Sequence, residues 1–183
     1  MDSSRYIAST KSWLKNIVIG LSLCPFAREP HENNRIRFVV SRCLSEEELI
    51  DELVKECEYL DKHSEVETTL LICSQLFENF FDFNDFLYWA EQALDQHHWR
   101  GIYQLASFHP EYQFADTHKE DQSNYTNRSP FPTLHILRED SLSEAIEGFP
   151  NPEKIPEDNI AKLQLMSPEK IKRYFSYLLT RQF

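Results

Sequence analysis

TTLLICS, residues 68–74, is the stretch that decides the fold of this chain. An uncharged run of β-branched and apolar residues of this length is typical of a buried strand. Working outward from it, three more segments show strand patterns, and helix patterns or one long loop separate them. These segments are residues 35–41 (RIRFVVS), 101–108 and 132–138.

Helix patterns fill most of the connections. Apolar residues recur at spacings of three and four through residues 7–23, and Pro25 is expected to end that helix. Ser45 and Glu48 form a capping box that opens a helix reaching about Lys62. Further helices are predicted from Asp82 or Asn84 to about His97, from Asp140 or Ser141 to Gly148, and from Ser167-Pro168 onward.

This order of elements predicts an α/β fold, with α+β as the alternative. We expect residues 1–183 to form a single domain, in which helices cover a mixed sheet of about four strands. The segment at 132–138 is the candidate for antiparallel pairing, because a loop rather than a helix precedes it. A ferredoxin-like and a thioredoxin-like sheet both fit this order.

The composition argues against several classes of protein. A formal net charge of −11 and a pI near 5.1 disfavour nucleic-acid binding, which requires clustered Lys and Arg. No apolar stretch of about 20 residues is present to span a bilayer. The N-terminus lacks a signal-peptide pattern, so a cytoplasmic protein is expected. Three glycines are too few for a phosphate-binding loop, and the four cysteines lack the CxxC spacing of a zinc ribbon.

The loop between the third and fourth strands is the predicted location of a functional site. Residues 108–130 read FHPEYQFADTHKEDQSNYTNRSP and concentrate imidazole, carboxylate, amide and guanidinium groups. Loops of about twenty residues inside a compact domain are usually functional or disordered. The aromatic residues of this loop argue against disorder.

Cys24, His109 and His135 are the candidate catalytic residues. Imidazole titrates near neutral pH, so either histidine is suited to be a general acid or base. Cys24 is a candidate nucleophile, although the C-terminal end of a helix disfavours a thiolate. If the third and fourth strands are neighbours, His109 and His135 are also candidate metal ligands. The structural alternatives are a packed thiol, a loop-capping His109 and a core His135.

The candidate substrate-binding residues centre on Arg128, whose planar guanidinium suits a carboxylate or phosphate. In the alternative, the amides and hydroxyls close turns while Arg128 pairs with Asp116 or Asp121 and holds the loop together. Arg28 joins the set because it lies close to Cys24 in sequence. The full set is Arg28, Asn124, Asn127, Arg128 and Ser129.

Two separated segments resemble a bacterial family of unknown function, domain of unknown function 1415. The first is residues 13–27, with the signature Leu23-Cys24-Pro25-Phe26-Ala27, and the second is residues 108–135. The likeness covers nearly the whole chain and implies a cytoplasmic bacterial protein, but it implies no reaction. It picks out as signature positions Cys24, Arg28, His109, Asp121, Asn124, Arg128, Ser129 and His135.

The leading hypothesis is an enzyme that acts on a small anionic metabolite, with Arg128 as the anion anchor and His109 or His135 as acid or base. One alternative is a non-catalytic protein that binds a small molecule or another protein. A second alternative is a metal-binding protein that uses His109 and His135. An enzyme requires His109, Arg128 and Cys24 to converge on one cleft. The sequence leaves the cofactor, the oligomeric state and the substrate unknown.

Overall fold

One open, mixed four-stranded sheet organises the chain. The computed structural model describes residues 2–179. The strands lie in the order β1-β2-β4-β3, so the two central positions belong to β2 and β4. The strands are β1 (Ile36–Ser41), β2 (Thr68–Cys73), β3 (Tyr103–Phe108) and β4 (Thr133–Arg138).

The pairing combines parallel and antiparallel strands. β1 and β2 are parallel, and one helix connects them, as a crossover between parallel strands requires. β4 is antiparallel to both β2 and β3 and separates them. A mixed sheet of four strands covered by helices is therefore confirmed, and so is the antiparallel placement of the last strand.

Seven α-helices are described within residues 2–179. Some begin at the predicted caps: the Ser45 side chain accepts a hydrogen bond from the Glu48 amide, and the Ser167 side chain accepts one from the Lys170 amide. The helices are α1 (Ser3–Trp13), α2 (Arg28–Glu32), α3 (Glu46–Lys62), α4 (Phe80–Gln96), α5 (Glu139–Glu147), α6 (Ile155–Gln164) and α7 (Pro168–Tyr174).

Two predicted helices differ from the structure in their bounds. The helix expected over residues 7–23 begins earlier, at Ser3, and after Trp13 it continues as a π-helical segment, Leu14–Ile19. The helix expected from Asp82 or Asn84 begins at Phe80 instead, because the Asn79 side chain caps it by accepting from the Phe81 amide. Both differences follow from hydrogen bonds at helix ends, which an apolar periodicity does not encode.

The two faces of the sheet are covered differently. α3 and α4 pack on one face around fully buried residues such as Leu53, Phe83, Leu71 and Leu134. α1, its π-helical extension, α6 and α7 cover the other face around a second cluster that includes Leu70. Every residue of β2 is buried, as expected for a central strand with helices on both sides.

No helix within residues 2–179 combines the length and the apolar character required to cross a bilayer.

Replacing Leu71 by alanine tests how much the central strand stabilises the fold. Leu71 is 0% exposed, so L71A should lower the free energy of unfolding by about 2–5 kcal/mol through lost burial and a cavity. Denaturant unfolding measures the change. Leu44, at 75% exposed, is the matched control, and L44A should change stability by less than about 0.5 kcal/mol. Equal effects of the two substitutions would contradict the assignment of β2 as the core strand.

Candidate functional site

A cavity of about 590 Å³ lies on the face of the sheet opposite α3 and α4. Leu70, Leu137 and Phe108 come from the sheet, and Leu142 and Ala145 contribute from α5. Other parts of its wall come from the junction of α1 with the π-helical segment and from the turn after Cys24. The volume falls in the range of small-molecule sites, which are mostly apolar with a few polar groups. The polar groups in the lining of this cavity are therefore the candidates for chemistry.

His135 lines this cavity from the middle of β4. Within residues 2–179, neither of its ring nitrogens has a hydrogen-bond partner, and its nearest aromatic contact is Phe108, with ring centroids 6.1 Å apart. Burial lowers the pKa of His135 to about 4, because the apolar surroundings disfavour the charged form. At neutral pH the imidazole is consequently uncharged and retains a free acceptor nitrogen.

Cys24 also lines this cavity. The chain leaves the π-helical segment at Gly20, where an added Cβ would lie 2.3 Å from the Asn16 carbonyl oxygen, so only glycine fits. α6 fixes the turn that follows: Asn159 donates to the Leu23 carbonyl at 2.6 Å, and Lys162 donates to the Leu21 carbonyl at 2.8 Å. These contacts place the thiol at a defined position rather than on a loose loop.

Cys24 is the N-cap of a new helical segment and not only the end of the preceding helix. A 3₁₀ turn, Pro25–Ala27, begins directly after it and runs into α2. Burial raises the pKa of the Cys24 thiol, while hydrogen bonds from the amides of Phe26 and Ala27 act in the opposite direction. The prediction that the helix dipole disfavours a thiolate at Cys24 is thus wrong, because these amides favour a thiolate.

His109 lies on the opposite face of the sheet from His135. Phe108 pairs with Thr133, so Phe108 and His135 share the face that bears the cavity, and the next residue, His109, points to the other side. There it is 0% exposed and packs against Phe83, with ring centroids 5.6 Å apart. The third and fourth strands are neighbours as expected, but side-chain alternation separates the two imidazoles.

The contacts of His109 fix its tautomer. Its Nδ1 accepts a hydrogen bond from the Glu111 amide at 3.0 Å, so Nε2 carries the proton and donates to the Phe77 carbonyl at 2.9 Å. Nδ1 therefore bonds within the loop, and Nε2 joins the loop to the segment before α4. Among residues 2–179, no group of three or more His, Cys, Asp or Glu side chains is arranged to hold a metal ion. His109 and His135 cannot bind one metal ion together, because they lie on opposite faces of the sheet.

Arg128 is buried inside the long loop and does not line the cavity. Its Nε donates to the Tyr112 carbonyl at 3.3 Å, and a terminal nitrogen donates to the Lys119 carbonyl at 2.5 Å. Its guanidinium also lies 4.3 Å from the ring centroid of Tyr125. These partners favour the loop-stabilising role, with backbone carbonyls in place of the expected aspartates.

The polar neighbours of Arg128 are bonded within the same loop. Asn124 accepts from the Phe114 amide at 2.9 Å and donates to the His118 carbonyl at 2.8 Å. Asn127 donates to the Ser107 carbonyl at 3.3 Å, and Ser129 donates to the Phe131 carbonyl at 2.6 Å. This pattern explains how a long loop stays ordered, because these side chains satisfy backbone groups. The 3₁₀ helix Gln122–Asn127 is the regular structure inside it.

Comparison with known proteins identifies the family. The model of a protein family of unknown function, DUF1415, matches residues 5–173. The chain belongs to the DUF1415 family. No curated protein and no solved structure matches the chain.

The positions that the resemblance picked out in the sequence separate into two groups in the structure. Cys24 and His135 line the cavity, whereas His109, Asn124, Arg128 and Ser129 are buried and bonded to backbone groups away from it. Arg28 is exposed on α2, beside the cavity wall, and pairs with Glu32 at 3.5 Å. Asp121 caps the 3₁₀ helix by accepting from the Ser123 amide at 2.9 Å. His109, Arg128 and Cys24 therefore do not converge on one cleft, but Cys24 and His135 do.

Sequence reasoning missed the charged residues that line the cavity, namely Glu29, Arg35, Glu67, Arg138 and Glu144. It also treated Trp13, Leu14 and Val18 as ordinary core residues, although they line the cavity. A helical repeat of apolar residues has the same appearance whether it packs on a core or borders a hollow. The Arg and Glu residues stand at strand ends and on helices, where surface charges are common.

Removing the Arg128 side chain should destabilise the protein without changing the cavity. R128M leaves the carbonyls of Tyr112 and Lys119 without their donor, which should lower the free energy of unfolding by about 1–3 kcal/mol. Denaturant unfolding measures it, and R28M at an exposed ion pair is the control, with a change below about 1 kcal/mol. If R128M retained full stability, the role of Arg128 in holding the loop would be refuted.

His135 should make the protein sensitive to mild acid. Its folded-state pKa of about 4 lies below the ordinary value of 6.5, so the unfolded chain binds a proton first as the pH falls. The contribution of neutral His135 to the free energy of unfolding is therefore fully present above about pH 6.5. It is lost as the pH falls toward 4, by up to roughly 3 kcal/mol. H135F should lose that part of the pH dependence, which unfolding curves at a series of pH values would reveal. Parallel pH profiles for wild type and H135F would mean that the imidazole titrates normally.

Proposed function

We propose that this protein binds a small, largely apolar molecule in the cavity and that Cys24 and His135 act on it. The observation that carries the proposal is the unpartnered imidazole of His135 in a hollow that the Cys24 thiol also borders. His135 is half-buried and makes no hydrogen bond within residues 2–179. An imidazole left without such a bond at the wall of a cavity is available to a ligand.

The chemistry follows from the two neutral groups. Burial raises the pKa of Cys24 and lowers that of His135, so the resting pair is a thiol and an uncharged imidazole. A ligand carbonyl carbon placed beside the sulfur would accept the sulfur lone pair, and the carbonyl π electrons would move to its oxygen. The thiol proton would pass to a nitrogen of His135, which acts as the general base. The amides of Phe26 and Ala27 would stabilise negative charge on the sulfur as it develops.

A non-catalytic binding protein is the second candidate function. The observation that favours it is the raised pKa of Cys24, since buried thiols in apolar surroundings are commonly inert. In that case the same cavity would hold the same class of molecule, and the thiol and imidazole would only contact it. The anion-binding role predicted for Arg128 has less support, because its donors are engaged by backbone carbonyls.

Alkylation of Cys24 separates the enzyme from the binding protein. Iodoacetamide labelling, followed for each cysteine by mass spectrometry, should be slower at Cys24 in H135F than in wild type. General-base assistance contributes about 100-fold or more to reactions of this kind, so the loss should be at least tenfold. The effect should be confined to Cys24, with Cys43 as the internal control because it lies outside the cavity and hydrogen-bonds to Glu52.

The cavity itself is tested by A145W. Ala145 lines the hollow from α5, a helix with no buried residue, so a tryptophan there can fill the space without disturbing the core. A145W should slow Cys24 labelling and leave Cys43 labelling unchanged. Unaltered Cys24 labelling in H135F together with a slowed rate in A145W would leave only the binding function. Unaltered labelling in both variants would refute the cavity as the site.

A further inference from the structure

Four of the five charged residues that line the cavity stand at one edge of the sheet. Along β4, His135 is followed on the same face by Leu137, and Arg138 ends the strand. Three residues of extended chain span about 10 Å, which separates the imidazole from that edge. Arg35 and Glu67, just before β1 and β2, pair with each other there, Glu29 lies 3.8 Å from Arg35, and Arg138 ends β4. The fifth charged residue of the lining, Glu144, comes from α5.

Both arginines are already engaged by the protein. Arg35 pairs with Glu67 at 2.7 Å and with the exposed Glu29 at 3.8 Å. Arg138 donates to the carbonyls of Val66, at 3.1 Å, and His63, at 3.2 Å, and also to the Leu60 carbonyl. Neither guanidinium is therefore free to serve as the main anchor of an anion.

Glu144 is the exception among these charges. Within residues 2–179 it has no cation within 4.0 Å and no hydrogen bond, although it lines the cavity from α5. In the lining as a whole, three carboxylates stand against two guanidinium groups, which leaves a formal charge of −1. The net charge of the whole chain, −11, has the same sign. The local excess and the overall field both attract a cation and repel an anion.

We infer that the ligand of this cavity is an apolar molecule that carries a cationic group, with Glu144 as the residue that selects it. This inference rests on the proposed function, since it specifies what the same cavity binds. The apolar body lies along Leu70 and Leu137, and a protonated amine meets the carboxylate of Glu144 on α5. The sign is opposite to that of the anionic ligand predicted from the sequence.

Three probes that share an eight-carbon chain test the inference: octylammonium, octanol and octanoate. Each is titrated against the full-length protein, and its dissociation constant is obtained from the protection of Cys24 against iodoacetamide. Octylammonium should bind most tightly and octanoate most weakly. E144Q should weaken octylammonium about two- to fivefold, the range of an exposed ion pair, and leave octanol unchanged.

Glu147 provides the matched control. It lies on α5 three residues from Glu144, is exposed and does not line the cavity, so E147Q should leave all three affinities unchanged. Tighter binding of octanoate than of octanol, or equal effects of E144Q and E147Q, would overturn the inference while the binding function stood. Failure of all three probes to protect Cys24 would overturn the binding function and the inference with it.

Discussion

The antiparallel pairing of β4 with its two neighbours is the constraint on which the candidate site depends. Because successive side chains of a strand alternate between faces, the register Leu71↔Leu134 and Leu70↔His135 places leucines against the α3 and α4 core and the imidazole against the cavity. A shift of one residue would exchange these positions and bury the imidazole in the core. The hydrophobic packing that stabilises the sheet therefore also orients the group best suited to chemistry.

The same sheet explains why there is a cavity at all. α3 and α4 cover one face with long apolar stripes, and that side is filled by residues such as Leu53 and Phe86. On the other face, α1 and α6 pack over only part of the surface, and α5 spans the remainder without burying a single residue. Because α5 is amphipathic and lies over a hollow, its apolar face is not packed against protein. A ligand that fills the hollow would remove this surface from water, which is a favourable contribution to binding.

Much of the fold could be predicted from the sequence, because it follows from local patterns. The apolar run at residues 68–74 and the Ser45–Glu48 cap each determine their element with residues close in the chain. The strand order and the π-helical segment depend on contacts between distant residues, and no local pattern contains them. Cys24 and His135 were recognised as candidates, but their meeting at one cavity is a product of tertiary structure. Arg128 shows the converse: a guanidinium among amides has the same sequence whether it binds a ligand or its own loop.

The long loop and the cavity thus have separate physical roles, and the separation limits what the site can do. The hydrogen bonds of the loop hold it in one conformation, because the side chains of Asn124, Asn127 and Arg128 donate to backbone carbonyls. In the cavity wall, by contrast, His135 makes no hydrogen bond within residues 2–179, and Cys24 is protonated. Burial there would make an ionised pair of these two groups costly. Charge can be generated there only when a ligand supplies a partner for it. In the proposed function, proton transfer from Cys24 to His135 would therefore depend on occupancy of the cavity.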